Sequence, residues 1–188
     1  LCTYKSKKPT EQKSLEEAKI ILEELQPHQT HDIEVLGLSG AIDKRLYELT
    51  GNADDLDNSI EFYEKGFQFK QDYYNGINAA FMLYKKTVLL KQQNNDWEDI
   101  KLKADYIRNS VLELSLKLEK ENGFTEKQDA IWVLLTIAEA YNYRGNSELQ
   151  NVYEEKAKQM AEKKKDDFAM SSYAEQKKKI EEIAINIK

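Results

Sequence analysis

The stretch Asp55–Ala80, DLDNSIEFYEKGFQFKQDYYNGINAA, decides the fold. Its first half sets Ser59, Tyr63 and Gly66 at offsets of four and three, so a helix there carries a small, an aromatic and a small residue on one face. Such a face lets a neighbouring helix approach closely, with the ring filling the space beside the contact. Leu56, Ile60, Tyr63 and Phe67 are predicted to point inward. The second half is small at Gly76, Ala79 and Ala80 and continues with bulky Ile77, Phe81, Leu83, Tyr84, Val88 and Leu89. A second helix is therefore expected from Tyr73 to about Gln92.

The whole composition agrees with helices. Two prolines and seven glycines interrupt 188 residues that are otherwise rich in Leu, Ala, Glu, Lys and Gln, which predicts an all-α chain long enough to bury a continuous core. Charged residues make up 33% and the net charge is −6, a balance that argues against binding nucleic acid by attraction to phosphate. The single cysteine, Cys2, has no internal disulfide partner, and no apolar run approaches a membrane span, so the expected location is cytoplasmic. The chain starts at Leu1 rather than Met, and is expected to be one domain over residues 1–188 excised from a longer multidomain protein.

Working outward, the residues before Pro9 read as a frayed, basic entry. Thr10 or Ser14 can cap a first helix, Ser14 with Glu17 forming a capping box, and its apolar face is Leu15, Ala18, Ile21, Leu22 and Leu25 up to the stop at Pro27. Thr30 or Asp32 caps the next helix, Ile33 to Leu49. One apolar stripe there is Val35, Leu38, Ile42, Leu46 and Leu49, and a second is Ile33, Leu36, Gly40 and Tyr47. Beyond the central pair, Asn95 or Asp96 is expected to cap a long fifth helix beginning at Trp97. Thr125 with Gln128 reads as a capping box opening a sixth, which holds Ile131, Trp132, Leu134, Leu135, Ile137, Ala138 and Tyr141. A seventh face is Val152, Tyr153, Ala157 and Met160, and an eighth is Tyr173, Ile180, Ile183, Ala184 and Ile187.

The Ser59–Tyr63–Gly66 ladder resembles the second helix of a tetratricopeptide repeat, and Ala138, Tyr141, Gly145 and Ala157 follow the same pattern less closely. The resemblance implies a right-handed superhelical array of antiparallel helix pairs, about eight helices in all, with Gly40, Ser59, Tyr63, Gly66, Ala80, Ala138, Tyr141 and Ala157 at the packing positions. Ile60-Glu61, Phe62-Tyr63, Lys65-Gly66-Phe67, then Tyr74, Gly76, Ile77 and Asn78, with Leu36, Gly40 and Ile42 upstream, further resemble the TRAFs-binding region of apoptosis signal-regulating MAP kinase kinase kinases and its bacterial relatives. This likeness fades beyond Lys86. It implies a regulatory scaffold that binds partner proteins and restrains a neighbouring effector domain.

Within such an array the concave groove takes extended peptides, and the expected partner-binding residues are Tyr74, Asn78, Phe81 and Lys85, continuing to Glu139, Asn142 and Tyr143. An Asn amide can hold a peptide backbone and a Lys can meet a carboxylate. The plainer reading makes Tyr74 and Phe81 core residues and gives Asn78 a loop carbonyl. His28 and His31, with Asp32, lack the further ligands that a metal site needs and read as an exposed pair. The Lys163–Lys165 and Lys177–Lys179 runs are interleaved with carboxylates and read as solvated faces. Neither a phosphate loop, a metal cluster nor a catalytic triad is present as a motif. The expected function is therefore a non-catalytic protein-interaction and regulatory scaffold without cofactor, binding a protein or peptide partner or a neighbouring domain of the same chain. The alternative is a self-association module that spaces fused effector domains as a homo-oligomer.

Overall fold

A computed structural model describes residues 7–187, among which there are eight α-helices and one 3-10 turn. The helices are α1 (Glu11–Glu23), α2 (Ile33–Thr50), α3 (Ala53–Lys70), α4 (Tyr73–Gln92), α5 (Glu98–Glu119), α6 (Ala130–Tyr143), α7 (Ser147–Lys164) and α8 (Asp167–Ile187), with the turn at Phe124–Glu126. The chain divides into two compact units, the first running to Lys86 and the second starting at Thr87. Cys2 and the Ile187 side chain lie outside the described residues.

In the first unit, helix ends are fixed by short side chains that satisfy orphan N–H groups. Thr10 Oγ1 accepts from Lys13 N at 3.2 Å, Asp32 Oδ1 from Glu34 N at 2.8 Å, and Asn52 Oδ1 from Asp54 N at 2.9 Å. Gly51, at φ 71°, turns α2 into α3 within two residues, so the pair is an antiparallel hairpin. Ser14 is no cap. It is fully buried inside α1, where its hydroxyl donates to Thr10 O at 3.1 Å or Lys8 O at 3.0 Å, so the expected capping box with Glu17 does not form.

The α2–α3 contact is a backbone contact. Ser59 Oγ donates to Gly40 O at 2.9 Å across the hairpin, and a Cβ at Gly40 would lie 2.9 Å from Cγ of Tyr63. A Cβ at Gly66 would lie 2.7 Å from Cγ of Asn75, and one at Gly37 would lie 3.1 Å from Oδ1 of the same residue. Asn75 of α4, 2% exposed, is thus seated against both helices of the hairpin, with Nδ2 held by Asp72 Oδ2 at 2.9 Å. α1 covers Ile42 and Leu46 of α2 with Leu15, Ala18 and Leu22. Ile21 and Leu25, expected on that face, are each 54% exposed, and Leu49 is 50% exposed, because one narrow stripe of α1 suffices to cover the hairpin. Phe62 rather than Phe67 is the deeply buried phenylalanine of α3.

In the second unit α6 is buried along nearly its whole length, and α5, α7 and α8 all pack on it. Its start differs from the expectation at Thr125 and Gln128. Phe124 is inserted into the core at 6% exposure, which draws Phe124–Glu126 into a 3-10 turn behind Gly123 (φ 73°) and leaves Lys127 extended, so the helix opens only at Ala130. Trp97 itself occupies the position before α5, without a side-chain cap from Asn95 or Asp96. Asn146 Oδ1 accepts from Leu149 N at 3.0 Å to start α7, whose inner face is Gln150, Tyr153, Ala157 and Ala161, while Val152 is exposed. Tyr173, Ile180 and Ile183 of α8 are buried.

Candidate functional site

α4 begins where Asp72 Oδ1 accepts from Asn75 N at 2.8 Å, and from there Tyr74, Asn78, Phe81 and Lys85 recur at helical spacing on one side. The α4 face lies against α2 of the same unit. Tyr74 is 46% exposed, with its ring over Gly37 and edge-on to Tyr63 at 6.1 Å between centroids. Gly37 therefore has a second use: without a side chain there, the tyrosine can settle on α2 while its outer part stays in water.

Phe81 is fully buried and does not itself present a surface to a partner. It is a platform. Lys44 Nζ stands 4.4 Å and Lys85 Nζ 5.7 Å from its ring centroid, so ammonium groups from two helices are gathered around one aromatic ring. Lys44 Nζ also donates to Asn78 Oδ1 at 3.0 Å, and Asn78 Nδ2 donates to Tyr74 O at 2.9 Å. An amide has two acceptor lone pairs and two donor hydrogens, and these two bonds leave one of each for a peptide backbone. Lys44 was missed by the sequence reading, because it sits 34 residues from Asn78 on a helix read only for its apolar stripes.

The residues expected to extend this face belong to the second unit. Glu139 is 6% exposed and is part of the interior. Arg108 of α5, only 2% exposed, lays its guanidinium 3.4 Å from the centroid of the Tyr143 ring, with Nη1 3.6 Å from Asp105 Oδ1. Asn142 is half-buried beside Tyr143 on α6, and its Nδ2 has no hydrogen-bond partner among the described residues. Of the packing positions, Ala80, Ala138 and Ala157 are fully buried, and Tyr141 stacks on Tyr153 at 5.8 Å.

His28 and His31 lie against α3, their rings 4.7 Å from Phe62 and 4.3 Å from Phe69, and His28 Nδ1 is 3.3 Å from Glu61 Oε1. Among the described residues no group of three His, Cys, Asp or Glu is placed to hold a metal ion, and no helix is long and apolar enough to cross a membrane.

Over residues 1–83 the chain matches the family model for TPR-S, Tetratricopeptide Repeats-Sensor. The matched span takes in α1 to α3 and most of the α4 face, with Lys85 two residues beyond it. No curated protein and no solved structure matches the chain. The all-helical array and the family match together make this a TPR-like helical fold, of the kind that serves as a protein-interaction or sensor module.

Proposed function

We propose that the chain is a non-catalytic recognition and regulatory module of a signalling protein, acting as the TRAFs-binding region that it resembles. Its α2–α4 face takes an extended acidic segment, either from a partner protein or from a neighbouring domain of the same chain. The observation that carries this reading is the pair of ammonium groups, Lys44 and Lys85, held over the Phe81 ring beside the Asn78 amide. Two cations beside one ring select a carboxylate-bearing partner, the amide supplies backbone hydrogen bonds, and exposed Tyr74 offers apolar area at low entropic cost. The acidic net charge favours protein over nucleic acid or an anionic membrane surface as partner, and the lone cysteine favours a cytoplasmic setting.

The test is selection of a random peptide library on the whole chain, with counter-selection on a Lys44→Glu, Lys85→Glu variant. Enrichment of acidic sequences that the variant does not retain supports the assignment. Enrichment without acidic bias, or equal recovery by the variant, opposes it.

One observation favours self-association as a second reading. Ile20 and Ile21 of α1 and Leu25 in the turn after it are 54% exposed or more, apolar side chains that a second copy would cover. Light scattering at several concentrations decides, since only self-association makes the mass rise with concentration.

A further inference from the structure

The sequence holds two Asn-Gly steps, Asn75-Gly76 and Asn122-Gly123, and the fold treats them oppositely. The dipeptide has a chemistry of its own. The backbone nitrogen of the second residue can attack the side-chain carbonyl carbon of the asparagine, and glycine, with no Cβ, hinders that approach least.

At Asn75 both reacting groups are engaged. The residue is 2% exposed, its Nδ2 donates to Asp72 Oδ2 at 2.9 Å, and Gly76 N donates to Asp72 O at 3.2 Å in the first turn of α4. Attack there requires the turn to open and Asn75 to leave its seat against Gly37 and Gly66.

Asn122-Gly123 lies instead in an exposed turn between α5 and the 3-10 turn Phe124–Glu126. Phe124 N donates to Glu121 O at 3.1 Å across it, but among the described residues neither Gly123 N nor the Asn122 amide makes a hydrogen bond. Gly123 stands at φ 73°, and a Cβ built there meets nothing within 4 Å. Nucleophile and carbonyl carbon are therefore neighbours in water, with no packing to hold them apart.

We infer that Asn122 is a site of spontaneous covalent modification, deamidation through a cyclic imide, and that Asn75 is spared while the fold holds. Gly123 N bonds to Asn122 Cγ, the Cγ–Nδ2 bond breaks, and Nδ2 leaves as ammonia with the proton from Gly123 N. Water then opens the imide, its hydroxyl going to a carbonyl carbon and its proton to the nitrogen. Opening at Cγ leaves aspartate. Opening at the main-chain carbonyl leaves isoaspartate, with the backbone rerouted through Cβ just before Phe124, the 6% exposed anchor of the turn. Either product adds a negative charge next to Glu121, which is paired with Lys127 at 2.5 Å.

The experiment holds the whole chain at pH 8 and 37 °C, separates its charge forms by ion exchange and places each change by peptide mapping. A form more acidic by a single charge is expected to accumulate, with a mass gain of about 1 Da at Asn122. Asn122→Gln, whose longer side chain has to close a larger ring, should lose that form. Asn75 should react at least about tenfold more slowly than Asn122 in the folded chain and draw level in urea, where both steps are exposed. An Asn122 that stays intact in the folded chain, an acidic form that survives in Asn122→Gln, or an Asn75 that reacts as fast without urea overturns the inference.

Discussion

The hairpin α2–α3 and the pair α7–α8 solve the same problem, holding two long helices side by side, by different means. In α2–α3 the contact is made at the backbone: the Ser59 hydroxyl bonds the Gly40 carbonyl, the Tyr63 ring lies on Gly40, and Asn75 fills the space that Gly37 and Gly66 leave empty. In α7–α8 the buried small residues are alanines, Ala157, Ala161 and Ala169, and the directional bonds are made by side-chain ends. There Glu154 Oε1 accepts from Gln150, Tyr173 and Lys177, each at 2.8 Å. A backbone contact tolerates almost no added atom. A side-chain network tolerates changes of shape but depends on one charge.

The largest expected effect is on the backbone contact. Gly66→Leu introduces a Cβ that would stand 2.7 Å from Asn75 Cγ, and Asn75 is pinned by Asp72, so a loss of about 3 kcal/mol or more is expected in urea unfolding. An unchanged midpoint would show that α3 and α4 separate freely. Next comes the network: Glu154→Ala strands the Tyr173 hydroxyl and the Lys177 ammonium and should cost about 1.5 to 3 kcal/mol. Hydrogen exchange read residue by residue should be fastest after Lys163, where helix–helix contact rests on that carboxylate and few large apolar side chains. Uniform protection along the chain would erase the contrast between the two regions.

A smaller effect separates the regions by pH. Lys19 of α1, Asp55 of α3 and His28 of the connector face Asp43, whose carboxyl is raised from 3.8 to about 6 by burial. A raised carboxyl takes up its proton more readily in the folded state, so this group makes folding less favourable above pH 6 and more favourable below it. Glu11 and Glu154 are held low, Glu11 by Arg45 and Glu154 by its three donors against the opposing effect of burial. What they contribute is present above the usual carboxylate range and is lost only below it. Between pH 7 and pH 5 the first unit should therefore gain about 1 kcal/mol, and Asp43→Asn should abolish that slope. A slope that survives in the variant would assign it to another group.

What could be read in the sequence follows the same division. The Ser59–Tyr63–Gly66 spacing and the few helix breakers were enough for the all-α array, because helical period and turn chemistry are local. Asn75 was not legible: an asparagine in the first turn of a helix reads as polar decoration, and only the absence of Cβ atoms on two other helices makes room for it. Ser39 and Asp43 fall between apolar stripes of α2 and read as solvent-facing, yet α1 covers them. Ile21, Leu25, Leu49 and Val152 err in the opposite direction, since periodicity shows which residues share a face but not how wide a face the neighbour covers. At the candidate site, the α4 residues were found from their spacing, whereas Lys44 depends on tertiary proximity.

The most direct test is the affinity of a peptide obtained by the library selection, measured by calorimetry on the whole chain and on an Asn78→Ala, Lys85→Glu double variant. If the α2–α4 face is the recognition surface, Kd should rise about tenfold or more, while helical content and melting temperature stay within a degree or so of the parent. An affinity retained in the folded double variant would contradict the assignment.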